Sequence, residues 1–200
     1  MQDAKRTQEE RRAATRQALL AAARAIFAQK GYAATSTPEI VAAAGVTRGA
    51  LYHHFADKQA LFAAVVEAEH EAVAMAIGSA TEGEGAPPDT IDALVAGGNA
   101  YLSAMQAEGR RQIMLVDAPS VLGRPAVDAI DARHGLRSLI EGVQCARDEG
   151  TISPLPTVPL AHLLSAIFDR AALAPAAELD AYRAGVEALL RGLRRVPPAP

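Results

Sequence analysis

The sequence predicts an all-α fold, on the evidence of composition, periodicity and the lack of strand patterns. Of the 200 residues, 50% are hydrophobic but only 4% are aromatic, so the apolar content is mostly Ala, Leu and Val. Alanine favours helices and disfavours strands. Apolar residues recur at helical spacing, and the sequence shows neither alternating β-branched runs nor internal repeats. We therefore expect about nine helices, in a chain long enough to bury a substantial core.

Gly- and Pro-rich stretches separate the predicted helices. These stretches cover residues 31–36, 78–89, 118–125, 150–159 and 174–177. A first apolar stripe at 19–27 predicts a helix that ends with a left-handed cap at Gly31. Further stripes cover residues 61–73 (in a helix running to about Ile77), 91–105, 136–143, 160–168 and 182–193. Each stripe predicts one amphipathic helix.

Two short helices after the first break carry the most specific pattern. Thr37 is the predicted N-cap of the first short helix, and Gly45 ends it. Thr47 caps the second short helix, in which Leu51 and Phe55 lie four residues apart on the buried side. Two short helices joined by a tight turn containing glycine are typical of a helix-turn-helix unit.

The outward positions of the second short helix suit DNA recognition. Arg48 can contact guanine edges bidentately, while Tyr52 and His53 can donate to phosphates or bases. Gly49 has no side chain and lets the backbone approach a duplex closely. Lys58 opens the following helix, where its ammonium and the unpaired backbone N–H groups can hold a phosphate.

Charge is distributed unevenly along the chain. Residues 1–60 hold nine basic and five acidic side chains, a net charge of +4. The whole chain carries −3, so the remaining 140 residues carry −7. The total alone argues against a nucleic-acid partner, but a basic segment on an acidic remainder is typical of a polyanion-binding module.

Residues 15–66 resemble the DNA-binding domain of the TetR family of bacterial regulators. The matching pieces are AIFAQKGY, STPEI, AAAGVTRGALYHHF and DKQALF, in the same order and spacing. The resemblance implies a DNA-binding domain at residues 1–57, here called the head, and a ligand-binding and dimerisation domain at residues 58–200, the body. It places Thr47, Arg48, Gly49, Tyr52 and His53 on DNA-reading positions, and Thr37, His54 and Lys58 on phosphate-contacting or supporting positions. Residues 114–123 (MLVDAPSVLG) resemble the C-terminal domain of one subgroup.

The resemblance implies a bacterial transcriptional regulator that responds to a ligand. We expect a repressor that binds a palindromic operator in double-stranded DNA as a homodimer and is released by a small effector. No enzymatic activity, cofactor, metal or membrane is expected. The charged N-terminus does not suit a signal peptide, and no apolar run approaches the ~20 residues that span a bilayer, so a cytoplasmic protein is expected. Cys145, the single cysteine, excludes an internal disulfide and is expected to be a small buried residue.

The effector site is predicted less sharply. In a chain with so few aromatic residues, pocket walls are expected to be Leu, Ala, Val and Met, which favours an apolar or amphipathic effector. The candidates are polar, soft or aromatic residues near the apolar stripes of the body: His70, Met75, Asn99, Tyr101, Met105, Asp117, His134 and Phe168. Each of them can equally be a core or surface residue.

The last two apolar stripes are candidates for a dimer interface. Two such helices from each subunit can pack as a four-helix bundle. The candidate residues are Leu163, Ile167, Ala171, Tyr182, Val186, Leu189, Leu190 and Leu193. The same stripes could close the core of a monomer, and the family resemblance favours the twofold homodimer.

Two other classes of function stay open on the sequence. A helical enzyme or small-molecule carrier would use the body pocket without DNA, and such a protein would ignore randomised duplex DNA at low salt. A metal or redox sensor would lose its response when His70, His134 or Cys145 is changed.

Overall fold

The computed structural model describes residues 7–83 and 85–195, and this part of the chain is built from ten α-helices without a β-strand. The helices are α1 Gln8–Lys30, α2 Thr37–Ala44, α3 Arg48–His54, α4 Lys58–Thr81, α5 Thr90–Ala104, α6 Ala118–Leu122, α7 Arg124–Asp131, α8 Gly135–Asp148, α9 Thr157–Ala172 and α10 Leu179–Gly192. A π-helical segment, Gln112–Asp117, precedes α6, and a 3₁₀ turn, Ala176–Glu178, precedes α10. The predicted all-α class is confirmed. In the described residues, no helix is long and apolar enough to cross a membrane.

The predicted break at residues 118–125 is wrong, because this stretch forms α6 and the start of α7. Pro125 lies in the first turn of α7, where the N–H that proline lacks has no partner to lose. Pro119 lies in the first turn of α6, which continues directly from the π-helical segment. Gly123 separates α6 from α7 with a φ of 82°, so the stretch is helical apart from this glycine.

The first helix begins with a reciprocal cap and ends at a glycine. The Thr7 backbone N–H donates to Glu10 Oε2 over 2.7 Å, and the Glu10 N–H donates to Thr7 Oγ1 over 3.2 Å. Gly31 donates its N–H to the Phe27 carbonyl, but its φ of 75° and ψ of 172° are not left-handed helical. The left-handed cap predicted for Gly31 is therefore wrong, although the positive φ still favours glycine.

The helix-turn-helix unit forms at the predicted place. Gly45 adopts the left-handed conformation, with φ 65° and ψ 30°, and ends α2. The Thr47 hydroxyl accepts the Ala50 N–H over 3.2 Å at the start of α3. Gly45 as the end of α2 and Thr47 as the N-cap of α3 are therefore confirmed. Leu51 and Phe55 are buried, which confirms the predicted inward face of α3.

The predicted N-cap of α2 is displaced by one residue. The helix begins at Thr37, and its N-cap is Ser36. The Glu39 carboxylate accepts the Ser36 backbone N–H over 2.9 Å and the Ser36 hydroxyl over 2.8 Å. A serine three residues before a glutamate is the sequence pattern that this cap requires, and the Thr37 prediction overlooked it.

An aromatic cluster joins α4 to the head. The Phe62 ring lies 5.0 Å from the Phe27 ring, edge to face, and 4.9 Å from the Tyr32 ring, measured between centroids. Phe27 and Phe62 are both fully buried. The first turns of α4 thus share a core with α1, so burial at the head also fixes the direction in which α4 leaves it. The division at residues 57 and 58 stays a prediction.

A buried carboxylate fixes the same junction from the side. Glu69 on α4 accepts from Arg24 Nε on α1 over 3.1 Å and from Arg110 Nε over 2.6 Å. Burial raises the pKa of Glu69, but the hydrogen bonds from both arginines outweigh it, so the pKa lies below its ordinary value. Arg24 also donates to the Glu108 carbonyl over 3.0 Å. One charged group therefore ties three segments together.

Candidate DNA-binding surface and effector cavity

The predicted DNA-reading residues share one exposed surface, the reading face. It consists of Thr47, Arg48, Gly49, Tyr52 and His53. All five are exposed, and the helix that carries them has only seven residues. Leu51 on its opposite side is fully buried. Thr47 caps the start of the helix, and the Phe55 N–H donates to the Leu51 carbonyl at its end. These contacts and the buried Leu51 fix the helix backbone, so the outward side chains all start from fixed positions.

Contacts between α2 and α3 extend this surface. The Arg48 guanidinium carbon lies 5.5 Å from the centre of the Tyr52 ring. Hydrogen bonds from Arg48 and from Thr37 lower the pKa of Tyr52. Thr37 is therefore next to the reading face, at the start of a helix whose first N–H groups can contact a phosphate.

Two arginines of α1 also lie beside α3. Burial lowers the pKa of His54, and the nearby charges of His53, Arg12 and Arg16 lower it further. The Arg16 guanidinium carbon lies 5.4 Å from the centre of the Phe55 ring. Sequence reasoning left Arg12 and Arg16 out of the site, although both lie off the apolar stripe of α1.

Lys58 is held by the protein's own carbonyl groups. Its Nζ donates to the Tyr32 carbonyl over 2.9 Å and to the Thr35 carbonyl over 2.8 Å, and lies 3.9 Å from the centre of the Tyr32 ring. Of the two roles predicted for Lys58, phosphate contact and support, these contacts favour support. The ammonium fixes the turn between α1 and α2, from which α2 starts.

The body contains a partly open cavity of about 690 Å³ lined by residues of α4, α5, α6, α7, α8 and α9 and of the π-helical segment. Its size suits a drug-sized organic molecule. Its apolar wall includes Val73, Ile77, Leu94, Met114, Leu136, Leu139 and Phe168. Of the eight effector residues predicted from the sequence, His70, Tyr101 and Phe168 line this cavity. Effector binding by these three stays a prediction.

Three other predicted effector residues lie away from the cavity. Met75 is 68% exposed, because it points outward from α4. Met105 is fully buried in the core. Asn99 accepts from Arg183 of α10, through its carbonyl over 3.1 Å and through Oδ1 over 3.2 Å. Helical periodicity alone does not separate a cavity wall from a core or an outer face.

The remaining two predicted effector residues have structural partners. The His134 Nε2 lies 2.6 Å from a carboxylate oxygen of Glu67, in a contact between α4 and the start of α8. Asp117, at the end of the π-helical segment, accepts the Tyr32 N–H at Oδ2 over 2.8 Å. Asp117 therefore links the body to the head and does not line the cavity.

One part of the cavity lining, here called the inner end, is polar and consists of His70, Tyr101, Asp131 and Asp169. The Tyr101 hydroxyl donates to Asp169 Oδ1 over 2.6 Å, and His70 Nδ1 lies 3.5 Å from Asp131 Oδ1. Burial raises the pKa of Asp169, and the charge of Asp131 raises it further against the hydrogen bond from Tyr101. Sequence reasoning missed Asp131 and Asp169. The available signal was Asp169 directly after Phe168 within an apolar stripe.

Cys145 is exposed, so its predicted burial is wrong. It lies on the outer side of α8, at the rim of the cavity, with Sγ 3.4 Å from Glu149 Oε1. The hydrogen bond with Glu149 is the main cause that raises the pKa of the thiol, which disfavours the reactive thiolate. In residues 7–83 and 85–195, no group of three or more His, Cys, Asp or Glu side chains could hold a metal ion.

A shallow apolar groove, lined chiefly by Leu163, Ala166, Ile167, Tyr182, Val186 and Leu189, runs between α9 and α10. Leu163 is 65% exposed and Leu189 is 56% exposed. Three of the predicted interface residues, Ala171, Val186 and Leu190, are buried within the subunit. Val186 still borders the groove, whereas a partner cannot reach Ala171 and Leu190 without rearrangement. Leu193 is half-buried beside the groove.

A helix-turn-helix with an exposed reading face, carried on a helical body with an internal cavity, defines a DNA-binding regulator. Residues 19–65 match the model of bacterial regulatory proteins of the tetR family. Residues 91–196 match the model of the tetracyclin repressor-like C-terminal domain. The chain therefore belongs to the TetR family of transcriptional regulators.

Comparison with solved structures supports this assignment along the whole chain. A TetR-family transcriptional regulator from Pectobacterium atrosepticum is 32% identical, with a TM-score of 0.77, and the match covers 96% of this chain and all of that one. The regulator FadR of fatty acid degradation from Bacillus halodurans has a TM-score of 0.74 over 90% of this chain, at 18% identity. The second likeness shows the shared fold only.

Curated relatives match the N-terminal part alone. The regulator AcrR of Shigella flexneri is 53% identical over 53 residues, which are 26% of this chain and 25% of AcrR. The repressor BepR of Brucella suis is 44% identical over 54 residues, which are 27% of this chain and 26% of BepR. The chain thus aligns with about a quarter of the length of these relatives.

Proposed function

We propose that the protein is a ligand-responsive repressor that binds a palindromic DNA operator as a homodimer and acts in the cytoplasm by binding rather than by catalysis. The observation that carries this proposal is the reading face. Arg48, Tyr52 and His53 project from a short helix whose start is capped by Thr47 and whose opposite side is buried. This is the geometry in which a recognition helix enters the major groove.

The groove between α9 and α10 supplies the proposed twofold interface. Leu163 of α9 and Leu189 of α10 are the most exposed of its large apolar side chains. Exposed apolar patches of this kind mark protein–protein contacts. Two copies that pair through this groove would form a four-helix bundle and present two heads. Half-sites in the operator would then lie about one helical turn or more apart.

The π-helical segment is the proposed route from effector to head. Met114 and Leu115 line the cavity, while Asp117 at the end of the same segment holds the Tyr32 N–H. Tyr32 in turn accepts from Lys58 through its carbonyl. π-Helical turns occur frequently at functional sites. An effector that displaces this segment would shift the turn from which α2 starts, together with the first residue of α4.

Reciprocal linkage follows from this coupling. An effector that weakens DNA binding by some factor must itself be bound more weakly by the DNA complex, by the same factor. Such couplings are typically ~1–3 kcal/mol. An effector with an apolar portion fits the wall of the cavity.

The direct test is selection of duplexes from randomised DNA by the full chain. We expect recovered sequences with two inverted half-sites. Recovery of sequences without inverted symmetry, or no enrichment at low salt, would contradict the proposed function. The latter result would favour an enzyme or carrier that does not use DNA.

Sedimentation tests the homodimer separately. We expect a dimer at micromolar concentration, and the double change Leu163→Glu with Leu189→Glu should yield monomers, because both carboxylates would enter the apolar groove. The matched control is Leu155→Glu, which alters an exposed leucine outside the groove and should leave the dimer intact. A wild-type monomer would contradict the interface.

A further inference from the structure

The inner end of the body cavity gathers hydrogen-bond acceptors. The Tyr101 hydroxyl is already committed to Asp169, over 2.6 Å. The His70 side chain is only 9% exposed, and its buried Nε2 atom has no hydrogen-bond partner in the described part of the chain. His70, Tyr101, Asp131 and Asp169 all line the cavity. An unpaired buried polar atom is costly, so a bound group that pairs with it gains that energy.

The contact of His70 with Asp131 decides what such a group must offer. An ionised carboxylate can only accept, so Asp131 Oδ1, 3.5 Å from Nδ1, favours the tautomer with the ring proton on Nδ1, in which Nε2 is an acceptor. Nε2 of His70 and the carboxylate oxygens of Asp131 and Asp169 are then all hydrogen-bond acceptors, so a ligand bound among them must supply hydrogen-bond donors.

The charged residues of the cavity lining also favour a ligand of one kind, a cation. Arg124 is the guanidinium in the cavity lining, and its Nε pairs with Asp128 Oδ1 over 2.8 Å. In the described residues, neither Asp131 nor Asp169 has a Lys or Arg nitrogen within 4.0 Å. The Asp131 side chain is 27% exposed, Asp169 is more deeply buried, and Arg124 acts on Asp169 only from beyond contact distance. A positive charge in direct contact would therefore stabilise both carboxylates.

The walls beyond this polar end are apolar. Val73 and Ile77 of α4, Leu94 of α5 and Leu136 and Leu139 of α8 line the cavity. The Phe168 ring is held against α5 at Gly98, where any Cβ would lie 2.4 Å from its Cε1 atom. Phe168 and Asp169 both line the cavity, so an aromatic ring is part of the wall that surrounds the acceptors.

We propose that the effector is an amphipathic organic cation whose protonated amine lies among Asp131, Asp169 and the Nε2 of His70, with its apolar body against the cavity wall. The inference deepens the proposed function and rests on it, because it assigns a ligand class to the same effector cavity. The amine N–H groups donate to the carboxylates and to His70, and the positive charge neutralises the inner end of the cavity.

Three fluorescent probes with one apolar body test the proposal on the full wild-type chain without DNA. They are 1-pyrenemethylamine, which is protonated at pH 7, 1-pyrenemethanol and 1-pyrenecarboxylate. We expect fluorescence anisotropy titrations to give at least about tenfold tighter binding for the ammonium than for the alcohol, and the weakest binding for the carboxylate. Equal affinities, or tightest binding by the carboxylate, would overturn the proposal without any variant.

Variants in which asparagine replaces an aspartate then show which carboxylates cause the preference for the ammonium probe. Asp169→Asn and Asp131→Asn should each bring the affinity for the ammonium towards that for the alcohol, while the alcohol is bound as before. The matched control is Glu71→Gln, which removes an exposed carboxylate next to His70 but outside the cavity lining. Retained ammonium preference in both aspartate variants would overturn the assigned site.

A DNA arm separates the ligand class from the proposed function. If the ammonium binds selectively but leaves a selected operator bound, the ligand class holds and the effector response fails. If only the carboxylate releases the operator, the regulator holds and the proposed ligand class is overturned.

Discussion

The head and the body hold their charged groups in opposite ways. In the head, Arg48 is exposed, so its charge acts through water on a partner that approaches from outside. In the body, Asp169 lines a cavity, and burial raises the pKa of Asp169. Exposed charges give binding that weakens steeply with salt, whereas desolvated charges discriminate between ligands by sign and by hydrogen bonding. In the proposed function, one chain would thus recognise a polyanion and a small molecule by different physical interactions.

The junction between these regions offers the largest expected effect on stability. Glu69→Gln leaves Arg24 and Arg110 without their common carboxylate, at a junction where Glu69 is nearly buried. We expect a loss of about 3–5 kcal/mol in the free energy of unfolding, measured by urea denaturation. Glu71→Gln, on the exposed side of the same helix, should change it by less than about 0.5 kcal/mol. Similar losses in both variants would show that the junction is not specifically stabilised.

The same carboxylate predicts a pH dependence. The pKa of Glu69 is lowered in the folded protein relative to its ordinary value of 4.5. Its contribution to stability is therefore fully present above pH 4.5 and is lost as the pH falls through the folded value. Wild-type stability should fall more steeply than that of Glu69→Gln below pH 4.5. Parallel pH curves for the two proteins would contradict this contribution.

A glycine packed between the regions gives the next effect. Gly109 has a φ of 70°, and a Cβ there would lie 2.2 Å from the Ala28 Cβ of α1 and 2.3 Å from its Cα. Gly109→Ala should cost about 1–3 kcal/mol more than Gly150→Ala. Gly150 has nearly the same φ, 71°, but no atom within 4 Å of the added Cβ, so it isolates the packing contribution. Equal losses in thermal unfolding would show that the close approach to α1 is unimportant.

A smaller effect is expected on the coupling between the regions. Asp117→Ala removes the acceptor of the Tyr32 N–H without altering the cavity lining or the reading face. The ratio of DNA affinities with and without effector gives the coupling free energy between the two sites. We expect this coupling free energy to change by about 0.5–2 kcal/mol, while effector affinity in the absence of DNA is unchanged. The control is Asp180→Ala, an exposed carboxylate on α10. An unchanged ratio in Asp117→Ala would exclude the route through Tyr32.

The two regions also differ in how far the sequence predicts them. The predicted DNA-contacting side chains of the head lie within one stretch of local signals, such as Gly45 and Thr47, so local rules are enough to place those of α3 on one exposed face. The cavity of the body forms where six α-helices and the π-helical segment meet, and its lining depends on the rotation of each helix. Helical periodicity marks Met105 and Leu94 alike as apolar, although one is core and the other lines the cavity. The roles of Asp117 and Asp169 depend on contacts across 85 and 68 residues of sequence, which local patterns do not contain.

Binding of a selected operator by Arg48→Ala tests the central claim most directly. Its matched control is Arg137→Ala, which removes the same charge from an exposed site on α8 of the body. Affinities for the operator and for a scrambled duplex, measured at two salt concentrations, give the preference of each protein. We predict that Arg48→Ala loses about 1–3 kcal/mol of operator preference, while Arg137→Ala keeps it in full. Full operator preference in Arg48→Ala, or an equal loss in both variants, would contradict DNA reading by α3.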